Sequence, residues 1–203
     1  FGSQINNGSI TYKAPAIDLM GITANIAVDY DPQANVAAPA AGGVGTDGAS
    51  GEGITLKLSH ESGLTFGGGF TSVGDTDARV GESGGTAYLK YSNGPLTVGY
   101  QEFYHNASRA TAGTTTRGAD SDGDGYAIAY TAGDMTFSYS VQNEQTNAIG
   151  VTAALQEEEM SAVQAAYTMG GMTLAASLYE SDNVEGVAAV KYEETELSVS
   201  FAF

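Results

Sequence analysis

Four short turn signals, each flanked by apolar residues that mirror one another across it, commit this chain to antiparallel β-hairpins. In Tyr130-Thr-Ala-Gly-Asp-Met-Thr-Phe137, a two-residue Gly133-Asp134 turn sets Ala132 opposite Met135, Tyr130 opposite Phe137 and Ile128 opposite Tyr139. A Gly170-Gly171 turn likewise matches Met169 with Met172, Tyr167 with Leu174, Ala165 with Ala176 and Val163 with Leu178. A three-residue loop closing at Gly63, where a positive φ is wanted, matches Leu58 with Phe66 and Ile54 with Phe70. Gly94-Pro95 matches Tyr91 with Val98 and Leu89 with Tyr100. Successive side chains of a strand point to opposite faces, so every one of these hairpins carries its apolar residues on one side. The other side is polar, with Thr55, Lys57, Ser59 and Thr65 in one hairpin and Thr136, Ser138, Ser140 and Gln142 in another.

The texture is uniform over residues 1–203 and no linker interrupts it, which reads as a single β domain. There is no Cys, so disulfides and thiolate metal sites are excluded. No apolar run approaches the ~18 residues of a spanning helix, but strands that alternate apolar and polar cross membranes without one. With 24 Asp and Glu against 7 Lys and Arg, the net charge of -17 argues against nucleic acid as a partner and for cations.

Strands are expected near Gly8 to Ala14, Ile22 to Asp31, Gly53 to His60, Leu64 to Ser72, Thr86 to Ser92, Leu96 to Tyr104, Tyr126 to Ala132, Met135 to Asn143, Met160 to Met169 and Met172 to Tyr179, followed by a C-terminal segment. The tight turns alternate with long segments, roughly Pro32 to Glu52, Val73 to Gly85, His105 to Gly123 and Gln145 to Glu158. Short turns on one rim and long loops on the other is the plan of a transmembrane β-barrel, whose apolar face meets lipid and whose polar face lines the lumen. A soluble β-sandwich has the same alternation with the apolar face inside.

Both ends of the chain resemble known proteins. Leu197-Ser-Val-Ser-Phe-Ala-Phe203 alternates and stops on an aromatic, and it resembles the terminal strand of bacterial outer-membrane β-barrels, where such a residue is the signal read by the assembly machinery. Asn7-Gly-Ser-Ile-Thr-Tyr-Lys-Ala-Pro-Ala-Ile-Asp-Leu-Met-Gly-Ile-Thr-Ala24, running on to Tyr30, is similar to the segment NSIxYxSPxFxGFxxxxxY of trimeric general porins, with a longer turn and Ala-Pro-Ala-Ile in place of Ser-Pro-aromatic. The resemblance implies an antiparallel transmembrane barrel in the bacterial outer membrane, with about 11–12 strands in this chain as part of a 16-stranded barrel incomplete at its N-terminus. It also implies a homotrimer, contact with outer-membrane lipid and lipopolysaccharide, and passive diffusion of small hydrophilic solutes and ions, with the charge favouring cations. The strand count turns on Val187 to Phe203. Tyr192 with Leu197 and Val190 with Val199 match across a Glu194-Thr195 turn as two strands, whereas a periplasmic C-terminus requires one bulged strand; eleven strands, with one, is the expectation. The rival reading of the whole chain is a barrel or sandwich that displays acidic loops as a surface binding or adhesion module.

Parity counted from neighbouring apolar residues points Lys13, Lys57, Lys90 and Lys191 into the lumen, as pore-lining residues. Porins similarly place basic residues on the wall facing acids, which creates a transverse field. Lysine on a lipid face costs a few kcal/mol, so a lysine in any such barrel must point inward or sit at a rim whatever its role. Asp120-Ser-Asp-Gly-Asp-Gly125 places Asp120, Asp122 and Asp124 at alternate positions in an expected external loop, resembling the start of a weak calcium site that could bridge lipopolysaccharide phosphates. Position twelve of that loop is Thr131, without the bidentate acid. No resident cofactor and no catalytic constellation is expected, because neither His60 nor His105 has a serine placed for nucleophilic chemistry. Gly67-Gly-Gly69 lies within a strand, where it serves close packing and not phosphate binding.

Overall fold

A computed structural model of the chain describes residues 9–32, 49–75, 79–107, 109–110, 119–148 and 155–201. Phe203 and residues 1–8, which include Asn7 and Gly8 of the porin-like segment, lie outside the described residues, as does most of the Pro32 to Glu52 connection. The elements are β1 (Ile10–Lys13), β2 (Ile17–Leu19), β3 (Ile22–Asp31), β4 (Gly51–His60), β5 (Leu64–Val73), β6 (Arg79–Val80), β7 (Glu82–Asn93), β8 (Leu96–Asn106), β9 (Arg109–Ala110), β10 (Ala119–Ala132), β11 (Met135–Ala148), β12 (Glu158–Met169), β13 (Met172–Asp182) and β14 (Lys191–Phe201). A single 3-10 turn, Val184–Gly186, interrupts the series.

Twelve strands form one antiparallel sheet in the order β1-β3-β4-β5-β7-β8-β10-β11-β12-β13-β14, with β2 beside β3, while β6 and β9 pair separately. The sheet is a meander, and among the described residues no ladder joins β14 to β1 or β2, so it stands open. All four hairpins have the registers expected from sequence: Tyr130 opposite Phe137, Tyr167 opposite Leu174, Leu58 opposite Phe66 and Tyr91 opposite Val98. Gly94, Gly133 and Gly170 open their two-residue turns with φ of 56°, 60° and 60°, the handedness that matches strand twist.

β1 and β2 are two halves of one edge strand, so the sheet has eleven strand positions. Lys13 pairs with Ala27 and Ile17 with Ala24, leaving Ala14, Pro15 and Ala16 opposite Asn25 and Ile26. That extra residue is a β-bulge, tolerated because among the described residues no strand lies beyond Pro15 to need its missing N–H. The bulge switches parity, so Ile10 and Tyr12 before it and Ile17 and Leu19 after it fall on one face. A two-residue turn at Met20 and Gly21, φ 51° and 79°, then leads into β3. The strand at Ile17–Leu19 therefore falls inside the region expected to be one long turn.

The C-terminal segment is one strand. Leu197 pairs with Ala176, Val199 with Leu174 and Tyr192 with Ser181, so no turn forms at Glu194-Thr195. The reversal lies upstream, where Asn183, Glu185, Gly186 and Ala189 all have positive φ.

Several strands run further than expected. β10 begins at Ala119, so Asp120–Gly125 belongs to a strand and not to a loop, and its ladder with β11 continues from Ala132 opposite Met135 up to Ala119 opposite Ala148. Acids and glycines resembled a loop in the sequence, but backbone pairing continues past the apolar part of the strand.

Three cross-strand contacts between aromatic rings and glycines fix the middle of the sheet. A Cβ on Gly67 would land in the Tyr88 ring, one on Gly85 would lie 2.7 Å from Tyr104 Cε1, and one on Gly123 would lie 2.6 Å from Phe103 Cζ. Each ring thus lies over its partner strand and covers backbone that a glycine leaves bare. Gly67→Val is expected to destabilise by about 1–3 kcal/mol through this overlap, and Tyr88→Ala in the same chain should recover part of the loss; a urea unfolding series of the two single variants and the double variant measures it.

Candidate functional site: the polar face of the sheet

The ladders assign every paired residue to a face. Ile54, Phe66, Leu89, Tyr100, Ile128, Phe137, Val163, Leu174 and Val199 share one side with half-buried Leu58 and remain exposed, and among the described residues no second layer packs on them. This apolar face is continuous across the sheet, far beyond what a soluble monomer leaves bare. Towards the long connections the same side turns acidic, with Glu102, Asp122, Asp124, Glu159, Glu180 and Asp182 at its register positions.

The opposite side is polar and concave. One cavity of about 400 Å³ touches strands from β7 through β13, from Tyr88 and Lys90 to Tyr179, which requires the sheet to curl around it. At the short-turn end, hydroxyl pairs close the hairpins on this face: Thr131 with Thr136 at 3.2 Å, Thr168 with Thr173 at 3.1 Å, and Thr97 donating to Ser92 at 3.1 Å.

Three of the four lysines singled out in the sequence lie on the polar face. Lys13 is opposite Ala27, Lys57 opposite Asn25 and Gly67, and Lys90 opposite Thr65 and Gly99. Lys13 and Lys57 line one cavity of about 350 Å³ with Asn25, Thr55, Thr86 and Tyr88. Lys191 departs from the expectation: it shares parity with Leu197 and Val199 and therefore lies on the other face, where its Nζ is 2.7 Å from Asp182 Oδ1. Parity counted from Val190 and Tyr192 misplaced it, because the apolar face of β14 is set by Leu197 and Val199 further along. Both partners are well exposed, so the pair contributes little to stability.

The three aspartates do not converge. Asp120, Asp122 and Asp124 sit at alternate positions of β10 opposite Asn147, Gln145 and Asn143, on the side of Tyr126 and Ile128. Residues two apart on a strand are about 6.5 Å apart along it, too far for three carboxylates to share one small cation. Asp120 Oδ1 instead accepts a hydrogen bond from the Ala107 N–H at 3.1 Å, and Asp122 Oδ1 accepts one from Asn147 Nδ2 at 3.4 Å. Among the described residues no group of three or more His, Asp or Glu is placed to hold a metal.

The polar face carries charges of both signs, and strand register places some of them side by side: Lys13 and Asp29 line one cavity. Its lysines are on β1, β4 and β7, and its acids are spread over the sheet, with Asp18, Asp29 and Asp31 on β2 and β3, Glu82 on β7, and Glu144, Glu158, Glu194 and Glu196 on β11, β12 and β14. At the long-connection end, His105 Nε2 of β8 is 3.1 Å from Glu82 Oε1 of β7. Only strand register brings those two together, since they are 23 residues apart in sequence. Compared with known proteins, the chain matches no family model and no curated sequence.

Proposed function

We propose that the chain forms the wall of an outer-membrane diffusion channel, a porin that passes small hydrophilic solutes and ions without energy input and prefers cations. The observation that carries this reading is a single curved sheet whose exposed face is apolar and whose concave face is polar, with turns of two or three residues along one rim. Lipid would cover the first face and water the second. A soluble sandwich needs a second sheet over the apolar side, and among the described residues the other sheet is only the β6–β9 pair. Eleven positions leave β1 and β14 running the same way, so an all-antiparallel barrel takes an odd number of further strands. The sixteen-stranded porins that the two ends resemble would supply five, in the homotrimer typical of that family.

On the polar face acids outnumber the lysines Lys13, Lys57 and Lys90, and that excess raises the cation concentration in the lumen and at the mouth. Single-channel recording in a planar bilayer under a potassium chloride gradient is the test. Discrete steps with a cation-side reversal potential are expected; an anion-side potential, or no steps from a folded sample, overturns the proposal. Replacing Lys13 and Lys57 together with Glu should raise the cation-to-anion permeability ratio further, by about two- to fivefold, the weight of a water-screened charge interaction near 1 kcal/mol.

A further inference from the structure

The cavity bounded by Tyr88 and Tyr179 breaks the pattern of the polar face. Elsewhere that face presents mostly Thr, Ser, Asn, charged and small residues, but here it gathers half-buried Tyr88, Phe103, Met160 and Tyr179. Half-buried rings on such a wall leave part of their apolar surface exposed, a cost that a ligand would remove. Their orientation also matters. Tyr88 lies over Gly67 and Phe103 over Gly123, so both rings lie along the wall and turn a face to the lumen. Gly125 and Ala162 keep the floor between the two walls low.

Hydrogen-bonding groups edge the same cavity. Gln101 Nε2 donates to Thr86 Oγ1 at 2.9 Å, and that hydroxyl donates to the Glu102 carbonyl at 2.9 Å, which holds Gln101 and leaves its Oε1 as an acceptor. Tyr179 accepts from Gln164 Nε2 at 3.0 Å, leaving its own hydroxyl proton to donate. Gln142 lies exposed in the lining between them. Despite the acidity of the chain, the described residues of the lining include no carboxylate, and Lys90 is the one charged side chain among them.

We infer that this trough is a subsite for neutral sugars of one or two rings, an inference that rests on the channel reading and gives it a solute class. A pyranose has apolar C–H faces that pack on flat aromatic rings and hydroxyls at its rim that both donate and accept, which is the chemistry this lining offers. About 400 Å³ falls within the usual range of small-molecule sites. A bare cation finds no carboxylate among the described lining residues, and the neutral amides and phenols suit an uncharged solute.

The experiment is titration of the full chain in a planar bilayer with maltose, reading the ion current. A saturable fall in conductance is expected, with the half-blocking concentration raised about tenfold by Gln142→Ala and by Tyr179→Ala, the factor for one lost contact of ~1.4 kcal/mol, while conductance without sugar persists. A fall that merely follows bulk viscosity, equal block in wild type and variants, or block by glucuronate alone through Lys90 overturns the inference and leaves the channel standing. Absence of channels would sink the channel reading instead. Calorimetry of maltose against the full chain in detergent then decides the sugar site on its own: heat abolished by both variants supports it, and no heat refutes it.

Discussion

Arginine at Ile128 is expected to destabilise the protein in a bilayer by about 2–4 kcal/mol, whereas arginine at the adjacent Ala129 should cost under about 1 kcal/mol. Ile128 is 46% exposed on the apolar face, opposite Val98 and Tyr139, with Tyr126 and Tyr130 on either side along the strand. If lipid covers that face, a guanidinium there must lose its hydration or drag water into the hydrocarbon. Ala129 lies opposite Thr97 and Ser138 on the concave face, where water solvates a charge. Urea titration of folding into lipid vesicles gives both values. Equal costs at the two positions would mean that the faces do not meet different solvents, and the channel reading would fall with them.

The second large effect is expected at a glycine. Gly63→Val should destabilise by about 3 kcal/mol or more, because two penalties coincide there. Gly63 has φ of 91°, outside the range that β-branched residues adopt, and an added Cβ would overlap the carbonyl oxygen of Ser92 in the next hairpin. That oxygen is main chain and cannot rotate aside. The loop is also tied on both sides: Gly63 N–H donates to the His60 carbonyl at 3.0 Å, and Ser92 N–H donates to the Gly63 carbonyl at 3.0 Å. Gly94→Ala is the matched control, since its φ is 56° but nothing lies within 4 Å of an added Cβ. It should pay the conformational cost alone, about 1–2 kcal/mol. Urea unfolding midpoints of the two variants compare them directly; a similar loss at both positions would show that the Ser92 contact does not constrain the hairpin.

Recognition of the hairpins succeeded because the relevant signals are close together. Gly133-Asp134 or Gly170-Gly171 fixes the handedness of a turn within four residues, and alternation then assigns Tyr130 and Phe137, or Tyr167 and Leu174, to one face without reference to the rest of the chain. The same reasoning failed where a local signal was ambiguous. The stretch between Ala14 and Ile22 was expected as one longer turn, but one extra residue at Pro15 is absorbed as a bulge and the strand resumes at Ile17. Asp120, Asp122 and Asp124 resembled a loop, but a strand that continues beyond the apolar band can be polar on both sides. Lys191 was assigned the wrong face because Val190 and Tyr192 beside it are apolar without belonging to the apolar row of β14.

The sequence by itself determined the antiparallel hairpins, their registers, and the placement of Lys13, Lys57 and Lys90 on the polar side, since each depends on a turn and a period of two. Tertiary structure alone decided what lies beside what across separate hairpins: Lys13 with Lys57 around one cavity, Tyr88 over Gly67, His105 beside Glu82, and the aromatic trough from Tyr88 to Tyr179. Those neighbours are set by the curvature of the sheet and by packing between strands far apart in the chain, which no short stretch of residues encodes.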